Sequence, residues 1–351
     1  MKIWNEKRAW LAPRATHRAA ALAPRDVRRI AVIKHGAFGD LILSRPFLIT
    51  LRQHFPNALV TLSLVDHYRN GAPEDLVDRV HVALGSRSGR PWAERLRSYR
   101  ALGRHELLFD LTNSNASFWI SALNPADLKI GFRHRGVERL LYDIAVPRSD
   151  YRFEAESFLD QLTALGRAHD WPLPFAMAPR ERPRVRPYVL YFPTASKPEK
   201  CWPPEHYTAL VADLIQRFPH LDHVVLGGLK DWEAEVARRI AADSGNPAVE
   251  WVAAGEATHA LLQHATLVVV GDTGIRHLAV ANHTPTLGIF SHTNPFRYWP
   301  RFDRHAVVFD PEGGVPSLEM VQQRARAVLN ELAPGDQGAP REVDRAGQAA
   351  L

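Results

Sequence analysis

Residues 28–40 read RRIAVIKHGAFGD, and this stretch decides the fold. Arg29–Lys34 is a short, mostly apolar run that predicts a buried strand. His35–Asp40 predicts a tight turn, because its two glycines let the backbone bend sharply between elements. Leu41–His54 follows with apolar residues at helical spacing and ends before Pro56. Strand, glycine turn and helix begin a βαβ unit, which predicts a parallel sheet covered by helices.

The same alternation continues along the chain in two blocks. The first block has strand and helix patterns at Ala58–Val65, Glu106–Leu111, Leu128–Gly131 and, for the helix, Ala116–Leu123. The second block predicts strands at Tyr188–Phe192, His223–Leu226, Glu250–Val252, Leu267–Val270 and Thr286–Phe290. Its predicted helices are Pro203–Arg217, Asp231–Ala242, Thr258–His264, Thr273–Asn282 and Ser317–Leu332. Between the blocks, residues 171–187 are too rich in proline for a helix or a central strand, so they predict a linker.

The 351 residues therefore predict two doubly wound, Rossmann-like α/β domains. Their predicted bounds are a basic N-terminal extension at 1–28, a first domain at 29–170, the linker at 171–187, a second domain at 188–332 and a disordered tail at 333–351. In such sheets ligands bind beyond the carboxyl ends of the strands. We therefore expect the two domains to face a cleft, with the functional residues directly after strands.

Positive charge is concentrated at the N-terminus. Residues 1–29 hold eight basic and two acidic side chains, so their net +6 equals the formal net charge of the whole chain. The rest of the chain is neutral, which argues against nucleic-acid binding. The extension is interpreted either as a frayed, solvated arm or as a weak anchor to anionic lipid, with Trp4 and Trp10 at the interface.

Cysteine usage and hydropathy bound the class of protein. A single cysteine, Cys201, excludes a disulfide scaffold and any multi-cysteine metal site. No apolar run approaches the roughly 18 residues that a membrane span needs, and the first residues predict no signal peptide. We therefore expect a cytoplasmic protein. The sequence has no Asp-x-Asp pair and no histidine–carboxylate cluster with clear metal spacing, so we expect neither a metal nor a bound cofactor.

Anion-binding residue types follow strands of the second domain. Asp272, Thr273 and Gly274 lead from a strand into a helix, whose N-terminus offers free N–H groups and partial positive charge to phosphate. His277, one turn further on, is either part of this site or a histidine packed beneath it. The loop after Tyr188–Phe192 adds hydroxyl and ammonium groups from Thr194, Ser196, Lys197 and Lys200. Asp231, after Gly227 and Gly228, either binds ribose hydroxyls or caps the helix that it begins.

The first domain offers one carboxylate and one basic cluster. Asp40, next to Gly39 in the glycine turn, is either an ordinary helix N-cap or a carboxylate that faces the cleft. Lys129, Arg133 and Arg135 are either a solvated charge cluster or a site that holds an acidic acceptor through arginine forks.

These motifs together resemble glycosyltransferase family 9, the bacterial heptosyltransferases of lipopolysaccharide core synthesis. The resemblance covers residues 28–332 and rests on IAVIKHGAFGDLILSRPFLITLRQHFPNA, KIGFR, KPEKCWPPEHY, VVLGG and VVVGDTGIRHLAVANHTPTLGIFSHTNP. It implies a GT-B fold and an inverting transfer of heptose from ADP-heptose to a lipopolysaccharide-core or related saccharide acceptor, without a required metal. The sequence departs from the family at residues 291–295, which read SHTNP where the family often has Gly-Pro-Thr-Asp-Pro.

The resemblance also implies a role for each predicted site residue. Asp40 matches the general base, and Gly39, Lys129, Arg133 and Arg135 lie in the domain that binds the acceptor. Lys200 matches a diphosphate contact, and Asp272–Gly274 and His277 match the segment that holds the diphosphate and donor sugar. Asp231, or else Glu233, matches the acid that binds ribose, and residues 253–257 fall where the adenine would lie.

Three alternatives keep the fold but change the function. The first is a GT-B transferase that uses another sugar nucleotide. The second is a GT-B sugar-nucleotide epimerase, which needs no acceptor. The third is a sugar-nucleotide-binding protein without catalysis, which the aspartate at position 40 disfavours. For the transferase, the expected partners are the nucleotide sugar, an anionic lipid-linked or saccharide acceptor and, through the basic extension, the inner face of the cytoplasmic membrane.

Overall fold

The computed structural model describes residues 1–4 and 8–332. The chain divides into two compact units, Met1–Ala176 and Met177–Leu351. The division falls inside the proline-rich segment 171–187, which contains neither helix nor strand. The predicted disordered tail, 333–351, lies outside the described residues.

Unit 1 is built on one seven-stranded sheet. Its strands are β1 (Trp10–Leu11), β2 (Arg29–Ile33), β3 (Leu59–Val65), β4 (Arg79–Ala83), β5 (Leu107–Asp110), β6 (Leu128–Phe132) and β7 (Ile144–Val146). Their order across the sheet is β1-β7-β6-β5-β2-β3-β4. All neighbours are parallel except β1, which pairs antiparallel with β7.

The helices of unit 1 form two sets. They are α1 (Ala15–Ala20), α2 (Phe38–Ile42), α3 (Arg45–His54), α4 (Trp92–Arg100), α5 (Asn115–Leu123), α6 (Glu138–Leu141) and α7 (Glu154–Thr163). Helix α3 packs on α7, whereas α4 packs on α5 and α5 on α6. The chain runs from β2 outward to β4, returns to β5 and continues to β7. Because such crossovers are right-handed, this reversal places the helices on both faces.

Unit 2 repeats the plan with a six-stranded, fully parallel sheet. Its strands are β8 (Tyr188–Phe192), β9 (Asp222–Leu226), β10 (Val249–Val252), β11 (Leu267–Gly271), β12 (Thr286–Phe290) and β13 (His305–Phe309). Their order is β10-β9-β8-β11-β12-β13. The helices are α8 (Pro204–Arg217), α9 (Asp231–Ser244), α10 (Ala257–His264), α11 (Gly274–Ala281) and α12 (Leu318–Leu332).

The sheet orders confirm the predicted fold class of two doubly wound α/β domains. In unit 2, α8 packs on α9 and α12, whereas α10 packs on α11, so helices again cover both faces. The central strands β5, β8 and β12 are buried along their whole length. Such continuous burial is why they appear in the sequence as apolar runs rather than as alternating patterns.

The predicted single helix Leu41–His54 is wrong. The segment forms two helices, α2 and α3, which meet at Leu43 and Ser44. Pro46 is the second residue of α3 and has no backbone N–H to donate to the carbonyl of Ile42, so a continuous helix would lose a hydrogen bond there. The Ser44 hydroxyl instead donates to the Leu41 carbonyl at 2.6 Å.

The interpretation of the N-terminal extension as a frayed, solvated arm is also wrong for its described residues. Trp10 and Leu11 form β1 at the edge of the sheet, opposite Ala145 and Ile144 of β7. In α1, Ala15 and Ala19 are fully buried. The extension therefore packs on unit 1 rather than extending into solvent.

The sequence analysis missed four strands and four helices of the described residues, and the missed helices are α1, α4, α6 and α7. Strands β1, β4, β7 and β13 escaped it because they are short or carry polar residues; β4 reads RVHVA, for example, and lies at the sheet edge. Among residues 1–4 and 8–332, no helix has both the length and the apolar character needed to cross a membrane.

Candidate functional site

The predicted donor residues follow strands that are neighbours in the sheet of unit 2. Thr194 and Lys200 follow β8, Asp231 follows β9 and Asp272 follows β11. Strand β8 lies between β9 and β11, and β12 lies on the far side of β11. All run parallel, so the loops after β9, β8, β11 and β12 open on one edge and span about 15 Å.

We call the turn between β11 and α11, Asp272–Gly274, the anion seat, because the sequence predicts phosphate binding there. Thr273 is the N-cap of α11, and its side-chain oxygen accepts a hydrogen bond from the backbone N–H of Ile275 at 3.1 Å. Gly274 is the first residue of the helix. A capped helix N-terminus keeps other N–H groups for a ligand and carries partial positive charge. Phosphate binding at the anion seat stays a prediction.

The segment after β12 reaches this turn. The Thr293 hydroxyl donates a hydrogen bond to Oδ2 of Asp272. The ring of Tyr298 lies 5.2 Å, centre to centre, from the ring of His277, which is itself buried. The packed-histidine alternative for His277 thus agrees with its burial, and Thr293 is a neighbour of Asp272 that the sequence analysis missed. The departure of residues 291–295 from the family pattern was the available signal.

Arg276 is a second residue that the sequence analysis missed. It lies between Ile275 and His277 in α11 and is fully buried. Burial lowers the pKa of its guanidinium to about 10, and the nearby Asp272 carboxylate acts in the opposite direction. Nothing in its local sequence, IRHLAVA, marks this arginine as buried.

The loop after β8 presents its groups unequally. Thr194 is buried, and its hydroxyl has no hydrogen-bond partner among the described residues. Ser196 is exposed, and Lys197 pairs with Glu199 at 3.5 Å. Lys200 ends a short 3-10 helix, Pro198–Lys200, and is half-buried. Burial raises the pKa of the Cys201 thiol, which agrees with a packing role.

Asp231 and Glu233, the two acids proposed to bind ribose, differ in the hydrogen bonds that their carboxylates already make. Asp231 is the first residue of α9 and is exposed; it does not cap the helix, because the N-cap is Lys230. Glu233 is buried, and its Oε2 accepts the backbone N–H of Lys230 at 3.2 Å. Glu233 thus satisfies its own helix terminus, which leaves Asp231 as the carboxylate open to a ligand. The role of either in ribose binding stays a prediction.

In unit 1, Asp40 lies where β2 leads into α2. Its N-cap alternative is wrong: the cap is Ala37, and Asp40 is the third residue of the helix. Asp40 is half-buried, and its carboxylate has no hydrogen-bond or ion-pair partner within residues 1–4 and 8–332. Gly39 is buried beside it. An unpaired carboxylate at a helix N-terminus is available to accept a proton from a ligand.

The loop after β5 holds the turn that carries Asp40. The backbone N–H of His35 donates to Oγ1 of Thr112 at 2.8 Å, and its Nδ1 lies 3.4 Å from the Ser114 hydroxyl. Burial, with a contribution from the neighbouring Lys34, lowers the pKa of His35 to about 3, so its ring is neutral at pH 7.

Behind this loop lies a buried carboxyl group. Oδ1 of Asp110 accepts the backbone N–H of Thr112, and its Oδ2 accepts the Tyr142 hydroxyl at 2.7 Å. Complete burial raises the pKa of Asp110. These bonds fix the carboxyl end of β5 next to the end of β2, where Ile33 lies opposite Asp110.

The basic cluster does not assemble as one surface. Lys129 lies near the amino end of β6, and its ammonium donates to the Ser121 carbonyl at 2.7 Å. Burial lowers its pKa. Arg133, just after β6, donates to the Arg8 carbonyl at 2.7 Å and to Glu138 at 3.4 Å. Arg135 is exposed. Only Arg133 and Arg135 thus follow a strand end, and the structure separates Lys129 from them.

Unit 1 also has a cavity of about 340 Å³ far from these residues. It opens at the amino ends of β2, β3 and β4, and its lining includes Arg29, Leu59, Arg79 and His105. Asp40 follows the carboxyl end of β2, so the cavity lies at the opposite edge of the sheet. Among the described residues, no group of three histidine, cysteine or carboxylate side chains is arranged to hold a metal ion.

Comparisons of sequence agree with one family. The model of glycosyltransferase family 9 (heptosyltransferase) matches residues 95–327, which is more than half of the chain. A curated relative, lipopolysaccharide heptosyltransferase 3 of Escherichia coli, is 24% identical over 298 residues, covering 77% of this chain and 85% of that protein.

Solved structures share the fold. The E. coli heptosyltransferase WaaC with ADP-2-deoxy-2-fluoro heptose superposes with a TM-score of 0.68 at 21% identity, covering 86% of this chain and 99% of that one. The glycosyl transferase family 9 protein from Veillonella parvula DSM 2008 superposes with a TM-score of 0.65 at 20% identity, covering 88% of this chain and 99% of that one. The E. coli ADP-heptose heptosyltransferase II superposes with a TM-score of 0.63 at 20% identity, covering 87% of this chain and 98% of that one. The predicted GT-B fold is thereby confirmed.

Proposed function

The chain belongs to glycosyltransferase family 9, the heptosyltransferases, and on that premise we propose that it transfers heptose from ADP-heptose to a saccharide of the lipopolysaccharide core. It is a glycosyltransferase. The observation that carries the proposal is the arrangement in unit 2, where Lys200, Asp231 and the capped turn at Thr273 follow three adjacent parallel strands.

This arrangement suits a nucleotide diphosphate sugar. The α11 N-terminus and Lys200 supply positive charge for the diphosphate, and Asp231 supplies an acceptor for ribose hydroxyls. The loop at 253–257 follows β10, the neighbour of β9, and is the place for the adenine. Asp272, held by Thr293, lies beside the turn for the donor sugar. Relatives in the same family include WaaC with ADP, which supports ADP as the nucleotide.

Unit 1 supplies the base in this proposal. The acceptor hydroxyl attacks the anomeric carbon of the heptose, and the bond from that carbon to the β-phosphate oxygen breaks. Asp40 accepts the hydroxyl proton, and ADP leaves with the bonding electrons. Attack opposite the leaving group inverts the anomeric configuration. Pre-placed charge at the leaving diphosphate is usually the largest contribution to such catalysis.

No metal is required in this proposal. The sequence has no paired carboxylates of the Asp-x-Asp kind, and helix N–H groups with Lys200 neutralise the diphosphate instead. Activity should therefore survive in EDTA. Loss of activity in EDTA, restored by magnesium, would contradict this part.

The location that we propose is the cytoplasm, with peripheral contact at the inner face of the membrane. Trp4 is more than half exposed, and Arg14 and Arg25 are exposed, whereas Trp10 packs against unit 1. Wild-type protein should sediment with anionic phospholipid vesicles at low salt, and Arg14→Gln with Arg25→Gln should reduce this. Equal sedimentation with neutral vesicles would contradict an electrostatic contact.

A thermal-shift panel of ADP, UDP, GDP, CDP and ADP-heptose tests the donor. A ligand at 100 times its dissociation constant stabilises by about 2.7 kcal/mol, which is readily measured. We expect the largest shift with ADP and ADP-heptose. Stabilisation by UDP equal to that by ADP would rule out the ADP-heptose assignment, and turnover of a sugar nucleotide without any acceptor would indicate an epimerase.

A further inference from the structure

Arg276 carries a charge in an unusual place. It is fully buried and is among the largest side chains that are completely enclosed. Its pKa of about 10 keeps the guanidinium charged at neutral pH. Taking such a charge out of water costs several kcal/mol unless partners or counter-ions compensate for it.

The hydrogen bonds of Arg276 do not compensate for this burial. Nη1 donates to the Tyr298 carbonyl at 2.5 Å. Nε and Nη2 are buried and have no hydrogen-bond partner among the described residues. The guanidinium lies over the ring of Phe290, 5.1 Å from its centre, which is a weaker compensation than a carboxylate.

The sheet leaves space specifically for this side chain. A Cβ atom on Gly288 of β12 would lie 2.6 Å from Nε of Arg276 and 2.9 Å from Phe290. Any residue other than glycine at 288 would therefore push the guanidinium away. The position of the charge is set by backbone on one side and an aromatic ring on the other.

The charge lies close to the anion seat at the start of α11. Arg276 is in the first turn of that helix, two residues after Gly274. Asp272 is near enough to raise its pKa electrostatically. His305, buried and with a pKa well below its ordinary value because of burial and of Arg276, adds no positive charge.

We propose that Arg276 is a positioning residue whose buried, only partly hydrogen-bonded charge holds the donor diphosphate at the α11 N-terminus. The charge acts through a low-dielectric interior, where Coulomb attraction is stronger than in water. It also ties α11 to the segment after β12 through the Tyr298 carbonyl. The inference rests on the proposed function, because it takes a nucleoside diphosphate as the ligand of unit 2.

The test separates charge from packing by comparing two ligands and two variants. Arg276→Met keeps the approximate shape and removes the charge, and Arg276→Lys keeps the charge. ADP is titrated by calorimetry and adenosine, which has no phosphate, by NMR. We expect Arg276→Met to weaken ADP binding about tenfold. This is roughly the effect of a unit charge about 10 Å from another at an effective dielectric constant of about 20.

In the same experiment, the adenosine affinity of Arg276→Met should be unchanged, and Arg276→Lys should bind ADP within about threefold of wild type. The melting temperature of Arg276→Met should not fall, since replacing a buried charge by an apolar residue is often neutral or stabilising. The matched control is Arg239→Met, which removes an exposed arginine from α9 and changes net charge equally.

Two results would overturn the inference. The first is that Arg276→Met binds ADP as tightly as the wild type does. The second is that both variants lose affinity for adenosine and for ADP equally, which would indicate an effect of packing alone. If Arg276→Met does not fold, Arg276→Gln is measured against the same two outcomes. A wild-type protein that binds no ADP would instead refute the proposed donor.

Discussion

The side chain of Asp40 lies directly against the α-carbon of Gly36. A Cβ atom on Gly36 would lie 2.6 Å from Cβ of Asp40 and 3.0 Å from its Oδ2. The first glycine of HGAFGD is therefore needed for close approach: it lets the carboxylate four residues later fold back over the turn. This relationship makes the position of the proposed base sensitive to one methyl group.

Gly36→Ala should displace Asp40 and lower turnover, while ADP affinity stays within about twofold of wild type. The added methyl group overlaps Cβ of Asp40, so α2 or its side chain must shift. A shift of about 1 Å can cost roughly a hundredfold in rate. Steady-state kinetics and ADP titration measure the two effects. Ala37→Ser, at the exposed neighbouring position, is the control, and full activity in Gly36→Ala would contradict this prediction.

Asp40→Asn should lower turnover at least a hundredfold. It removes the proton acceptor, and loss of a general base typically costs about 10²–10⁴ in rate. Asp40 makes no cap and no ion pair among the described residues, so the stability cost is limited to its charge at the helix N-terminus, about 0.3–1 kcal/mol. Near-wild-type melting and ADP affinity should accompany the loss. A variant that keeps a third of its activity would exclude Asp40 as the base.

Lys200→Ala should weaken ADP binding by about ten- to a hundredfold. A hydrogen bond between charged groups contributes roughly 1.5–3 kcal/mol. Lys200 is half-buried in the loop after β8, the neighbour of β11, so the melting temperature without ligand should change little. Lys197→Ala is the matched control from the same loop, because Lys197 is two-thirds exposed and pairs with Glu199. Equal effects of the two substitutions would show a general charge effect instead of a specific contact.

Asp231→Asn and Glu233→Ala should separate ligand binding from helix capping. Asp231→Asn should weaken ADP binding without lowering the melting temperature, since the carboxylate is exposed and free of capping bonds. Glu233→Ala should destabilise the protein by about 1 kcal/mol, because it removes the carboxylate that accepts the Lys230 N–H. Calorimetry and thermal melting measure both. If Glu233→Ala weakens ADP binding and Asp231→Asn lowers the melting temperature, ribose binding belongs to Glu233 instead.

Acid should destabilise the fold in the range where buried histidines would otherwise become charged. Burial lowers the pKa of His223 to about 4 and that of His35 to about 3. Between these values and the unfolded pKa of about 6.5, the unfolded chain binds more protons, so stability falls as pH falls. Each histidine contributes up to about 1.4 kcal/mol per pH unit.

Urea denaturation at neutral pH and near pH 5 measures this dependence. His223→Gln should flatten the slope by about one proton, and His17→Gln, at an exposed position of α1, should leave it unchanged. An unchanged slope in His223→Gln would mean that His223 is charged in the folded protein.

The βαβ pattern was predictable because it depends on local physics. Continuous apolar runs as short as 188–192 are typical of buried strands, and glycine turns followed by helical spacing indicate the carboxyl edges of the sheets. Short strands at or near sheet edges, such as β1 and β7, were not predictable. Their two or three residues gain stability from pairing across the sheet, which leaves no periodic pattern in the chain.

The sequence by itself determined the α/β class, the division near 171–187 and the turns that carry Asp40, Lys200 and Asp272. Those turns follow from residue types at strand ends, where the chain must change direction. Only the tertiary structure decided which of these groups are already occupied. Glu233 is used by its own helix, Lys129 by the Ser121 carbonyl, and Arg276 is a buried charge that no local pattern identifies. Whether a side chain is occupied depends on where folding places its partner, which is 22 residues away for Arg276 and the Tyr298 carbonyl and only three for Glu233 and the Lys230 N–H.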